Sequence, residues 1–156
     1  LSNIILETLK TKIKFFKNDV KEKSERLYLN FGHTFAHAIE MSTDNIIKKD
    51  YFRHGEAVGI GMLCEILFSN NGKKNNLYFL TESLLKKFNL PTEINIKPIY
   101  INKIHKSIYD GVFLDKKKIK KNPRYIYLQN IFKPQIREIK NYGLLNDVIF
   151  KIIKRK

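Results

Sequence analysis

The chain of 156 residues contains one cysteine, Cys64, so no disulfide can form within it. Cys64 sits in an apolar run, where a buried thiol is the default, and this cysteine usage fits a reducing, cytoplasmic setting. No uninterrupted apolar stretch is long enough to span a membrane. The opening LSNIILETLK has neither the basic region nor the long apolar core and cleavage site of a signal peptide. It also has no initiator methionine, so the chain is expected to be cut from something longer. No internal repeat and no domain boundary stand out. Acidic residues are scarce: 15 against 30 basic ones, for a formal net charge of +15. Such a balance raises nucleic acid as a partner. It is discounted here because the lysines are scattered among isoleucines and asparagines, and no aromatic-basic module appears. The run Lys116 to Lys121, broken only by Ile119, reads as a solvated face.

What is present is a globular composition, 43% hydrophobic, in a length that suits one domain with a real core. Ile4, Ile5, Leu9, Ile13 and Phe16 recur at helical spacing and predict an amphipathic helix over residues 3–17. The run Leu27 to Glu40 carries no proline and places Leu29, Ala36 and Ile39 on an apolar side. A second apolar run, Ala57 to Leu67, opens with His54-Gly55-Glu56, an acidic first turn suited to a helix start. Two helices joined by a polar loop, Ser42 to Arg53, are expected. Residues 77–89 predict a helix with Leu80, Leu84, Leu85 and Phe88 on one face, stopped before Pro91. Further helices are expected over 102–109 and 144–153, with Asp110-Gly111 as a turn. Tyr125 to Leu128 and Ile136 to Ile139 predict a small hairpin. The fold class is therefore mainly α.

Three of the four histidines gather between Arg26 and Met62. His33 and His37, four apart, share a helix face, and the loop can return His54 towards them. Neutral imidazoles are common metal ligands, and a catalytic zinc takes three protein ligands with one open position. His33, His37 and His54, with Glu40 and Glu56 in reserve, offer such a set. Histidines four apart are also ordinary packing or surface residues, and spacing alone does not select which two or three bind. Lys12, Glu22 and Arg26 read by themselves as exposed charge. Arg26 lies seven residues before His33 with Asn30 between them, which places all three on one stripe if the helix is continuous. His105 stands outside any cluster and reads as structural or surface.

The wording of the stretch goes beyond spacing. Leu29 to Glu40 reads LNFGHTFAHAIE, and His54-Gly55-Glu56-Ala57-Val58 is followed by Gly61-Met62. This double motif closely resembles the signature of the 3-dehydroquinate synthase family, LN-x-GHTFGHAIE and then HGEAV-x-x-GM. Lys12, Asp19, Glu22 and Arg26 fall where that family has a lysine and then D-E-x-E-x-G-x-R. Asp115-Lys116-Lys117 resembles its DKK, and Arg124 to Leu128 the segment after it. The resemblance covers nearly the whole chain. It implies the mainly helical C-terminal domain of a two-domain enzyme, residues 1–156, whose NAD-binding α/β domain precedes Leu1 and is absent.

In that family a seven-carbon phosphorylated sugar acid, DAHP, becomes 3-dehydroquinate and phosphate. NAD+ serves as a transient oxidant, and a divalent metal, usually Zn2+ or else Co2+, as a Lewis acid. The resemblance implies His33 and His54 as metal ligands, with a third ligand, a glutamate, before this fragment. It implies His37 as a substrate-bonding, proton-moving histidine, and Lys12, Arg26 and Asn30 as substrate contacts. Lys116 or Lys117, with nothing to choose between them, is implied for the anionic groups of a sugar phosphate, and Glu22 as a further substrate-binding residue. A homodimer is implied for the full-length form, and the fragment alone is expected to be inactive. Ala36, Ser24 and Phe132 stand where the family favours glycine, and the inter-histidine loop is longer. Another sugar-phosphate cyclase, or a non-catalytic basic remnant, are the rival expectations.

Overall fold

The computed structural model describes residues 2–114, 122–128, 130 and 133–156. They gather into two compact units, Leu1–Asn30 and Phe31–Lys156.

In the first unit the predicted amphipathic repeat forms α1 (Ser2–Asn18). A 3-10 helix follows over Glu25–Asn30. The turn between them is organised by Asp19, whose carboxylate accepts the backbone N–H groups of Lys23, Ser24 and Arg26 at 2.9, 2.7 and 3.2 Å. These bonds, that from Lys23 first, hold its carboxyl below the usual carboxylate range. α1 buries none of its residues, and Ile4, Ile5, Leu9 and Ile13 are each more than half exposed.

The second unit is built round α3 (His54–Ser69), which is apolar on nearly every side and therefore central. Ile60, Leu63, Cys64, Ile66 and Leu67 are essentially inaccessible to solvent. Each such aliphatic side chain contributes about 1.5–3 kcal/mol by leaving water. α2 (His33–Ile46) packs against α3 and against α5 (Ile101–Val112). α4 (Asn76–Lys87) and α6 (Tyr142–Ile152) pack on α3 as well. β2 (Arg124–Tyr127) and β3 (Gln135–Glu138) form the expected antiparallel hairpin, Ile126 opposite Ile136. The architecture is mainly α.

Several expectations are corrected. The helix predicted from Leu27 onward is interrupted: Gly32 sits at φ +85, in the left-handed region, and α2 starts only at His33. The single stripe through Arg26, Asn30 and His33 therefore does not exist. α2 then runs past Ser42 to Ile46, because Ser42 and Thr43 are fully buried and Thr43 Oγ1 donates a hydrogen bond to Ile39 O at 2.9 Å. α5 continues through Asp110-Gly111. A side chain at Gly111 would press on Ala38 and Met41, so the glycine serves helix–helix approach rather than a turn. On α4 the buried residues are Tyr78 and Leu85, while Leu80, Leu84 and Phe88 are exposed. A parallel pair, β1 (Ile94–Ile96) with β4 (Ile153–Arg155), was not anticipated; three-residue strands carry too little alternation to be read.

Candidate functional site

The turn before α2 determines where the first histidine sits. Only glycine suits position 32: its φ is positive, and a Cβ there would meet Met62 N at 2.7 Å and Val58 O at 2.8 Å. Gly61 is the reciprocal half of this contact, since a Cβ on it would collide with the carbonyl oxygen of Gly32. The start of α2 is thus pressed against α3, backbone to backbone. Ala36, in place of the family's glycine, is accommodated with its methyl fully buried.

Because His33 opens α2 and His54 opens α3, this approach brings their rings together. Their centroids are 5.3 Å apart, and His37, one turn along α2, lies 5.8 Å from each. The ring of His33 turns Nδ1 to the carbonyl of Phe31 at 3.4 Å. The ring of His54 turns Nδ1 to Glu40 Oε2 at 2.9 Å. A ring engaged through Nδ1 ligates through Nε2, and a carboxylate behind it fixes that tautomer. Glu40 is therefore a group that sequence reasoning held only as a reserve ligand; its position one turn beyond His37 was the signal. Glu56, the other reserve, accepts the N–H of Arg53 at 2.7 Å and secures the start of α3.

The spacing of two of these rings is one that a shared ion would give. Two imidazoles sharing one tetrahedral ion at about 2.1 Å stand about 5.2 Å apart, centre to centre, close to the 5.3 Å found for His33 and His54. Among the described residues no three His, Cys, Asp or Glu side chains converge as a complete ligand group.

Four of the other expected site residues, Lys12, Glu22, Arg26 and Asn30, belong to the first unit. Lys12 is exposed on α1. Arg26, Glu22 and Asn30 form one cluster: Asn30 Nδ2 donates to Glu22 Oε1 at 2.7 Å, and Arg26 Nη2 lies 3.5 Å from Glu22 Oε2. Arg26 also donates through Nη1 to Val20 O at 2.9 Å and lies over the ring of Phe16. Lys116 and Lys117, with Asp115 and the departure at Phe132, lie outside the described residues. His105 is structural: it is buried, stacks on Phe150, and meets Asn146 O at 3.3 Å. A cavity of about 330 Å³ lined by Lys74, Tyr78, Glu82, Glu93, Lys151 and Lys154 includes none of the histidines. Among the described residues no helix is long and apolar enough to cross a membrane.

Comparison with known proteins agrees with the motif. Residues 1–118 match the family model described as 3-dehydroquinate synthase C-terminal. A 3-dehydroquinate synthase of Sulfurimonas denitrificans is 39% identical over 122 residues, covering 75% of this chain and 31% of that protein. One of Campylobacter fetus is 36% identical over 151 residues, 95% of this chain and 38% of that protein. One of Clostridium tetani is 36% identical over 121 residues, 76% of this chain and 29% of that protein. The chain spans about a third of the length of these curated relatives. With the matched model extending over most of its residues, the chain belongs to the 3-dehydroquinate synthase C-terminal family.

Proposed function

We propose that this chain is the metal- and substrate-binding part of a 3-dehydroquinate synthase, a lyase of the shikimate pathway that converts DAHP to 3-dehydroquinate and phosphate. The observation that carries the reading is the approach of His33 and His54 at the starts of two helices, with Glu40 behind His54. His33 and His54 would hold a divalent metal, Zn2+ or Co2+, through Nε2. The third ligand would come from outside the described residues. A bound metal supplies Lewis-acid polarisation of a substrate alcohol, and NAD+, held by a domain beyond this chain, supplies reversible hydride transfer.

The chain's own residues bind, orient and move protons. Glu40 keeps the His54 ring in one tautomer. His37, 5.8 Å from both ligand rings, hydrogen-bonds a substrate hydroxyl and carries its proton away. The positive ends of α2 and α3 favour the negative charge that develops there. Lys12, Arg26, Asn30, Lys116 and Lys117 bind the carboxylate, hydroxyl and phosphate groups. Glu22 pre-sets Arg26 and Asn30. The complete enzyme would be a cytoplasmic homodimer with no nucleic-acid or membrane partner, and this chain alone would be inactive.

The test is phosphate release from DAHP with NAD+ and Zn2+, measured on the polypeptide or assembly the source cell makes. His33→Ala should abolish it; unchanged release would remove the metal assignment. Turnover of a neutral sugar phosphate alone would assign a related cyclase instead.

A further inference from the structure

The carboxyl of Glu65 has no part in the chemistry above, yet it lies fully buried on α3. We infer that Glu65 is a positioning residue for His33, fastening the turn that presents this imidazole to the edge of β2. The inference rests on His33 being a metal ligand in the reading just given.

One edge of β2 is paired with β3. Three groups of β2 and the residue after it bond instead to helix side chains. Ile126 N–H donates to Glu65 Oε2 at 2.9 Å, and Leu128 N–H donates to Ser69 Oγ at 3.0 Å. Arg124 C=O accepts from Thr34 Oγ1 at 2.6 Å. Glu65 and Ser69 are one turn apart on α3, about 6 Å along its axis. Ile126 and Leu128, two residues apart on an extended chain, are about 6.7 Å apart. The two spacings match, so the helix offers acceptors in step with the strand. Thr34 directly follows His33, and Gly32 directly precedes it. Thr34 is thereby tied to the same strand that Glu65 holds at Ile126, so Glu65 reaches the neighbour of His33 through β2. Burial raises this carboxyl to about 8, so it is mostly the neutral acid at pH 7. An amide of the same shape keeps the acceptor oxygen; an aliphatic side chain of similar volume does not.

The experiment uses the full chain with Co2+ as probe. Its visible absorption gives affinity and coordination, and the imidazole NMR signals of His33 are followed without metal. Glu65→Leu should weaken Co2+ binding at least about tenfold, the usual effect of losing an outer-shell support, and should shift the His33 signals. Glu65→Gln should stay within about threefold, with those signals in place. Thr34→Val, which keeps the buried carboxyl, should shift the His33 signals by a smaller amount. It decides the matter should the leucine variant not fold. Unmoved His33 signals in Thr34→Val and in a folded Glu65→Leu would overturn the inference. So would Glu65→Gln as damaging as leucine. If the unaltered chain binds no Co2+, the metal reading fails on its own, and the metal-free His33 signals still decide the role of Glu65.

Discussion

The two units use the same kind of sequence to opposite ends. In Phe31–Lys156 the apolar positions close on one another: α3 is enveloped, and Phe35, Ile39, Ile104 and Ile149 are fully buried. In Leu1–Asn30 an equally regular apolar stripe on α1 buries no residue, and the order there is polar, in the Asp19 turn and the Glu22 cluster with Arg26 and Asn30. Apolar periodicity therefore says that a helix has a face to cover, and leaves open what covers it. His33, His37 and His54 belong to the unit with the core, and Lys12, Glu22, Arg26 and Asn30 to the unit without one.

The contrast breaks most sharply at Gly61. A methyl there meets the backbone oxygen of Gly32, and neither backbone can yield without parting α2 from α3. Gly61→Ala should destabilise the second unit by about 3 kcal/mol or more. Urea unfolding followed by far-UV circular dichroism measures this, and a loss under about 1 kcal/mol would show that the helix contact is soft.

The next effect comes from Glu65. Unfolded, its carboxyl ionises near 4.5; folded, it keeps its proton to about 8. Between these values the folded state binds more protons than the unfolded one, so this contribution falls as pH rises from about 4.5 to about 8 and then levels. The loss should be on the order of a few kcal/mol. Glu65→Gln should flatten that slope between about pH 4.5 and 8, where the folded carboxyl keeps its proton and the unfolded one has lost it. Equal slopes in both proteins would show the carboxyl to be ionised in place.

Glu40 should have a smaller effect, confined to the metal. It bonds the Nδ1 side of His54 from a partly exposed position. Glu40→Ala should lower Co2+ affinity about 10–100-fold while moving the unfolding midpoint little. Unchanged affinity would mean that His54 is oriented by the backbone of α3 alone.

How much of this was legible follows the same division. The helices with strong repeats were read, as was the hairpin, because local pattern decides them. The start of α2 was not: a proline-free run looks continuous, and the break is made by Gly32 meeting α3, a contact between residues nearly thirty positions apart. The three histidines could be grouped from spacing and motif. The role of Glu40 needed the distance to His54, and Glu65 sits in an apolar run whose partner strand lies 61 residues away. Pairing of that kind carries no local signal.

The smallest effect is expected on α1, and it sharpens the comparison because the residue type is the one that matters most in the core. Ile13 is 52% exposed, whereas Ile104 is fully buried. Ile104→Ala should cost about 2–5 kcal/mol, through lost transfer energy and the cavity left behind. Ile13→Ala leaves no cavity and, at a helical surface position, gains slightly in propensity, so its effect should stay within about 0.5 kcal/mol. Both are measured by the same urea titration of the full chain. A loss at Ile13 approaching that at Ile104 would mean that the stripe on α1 is covered in solution.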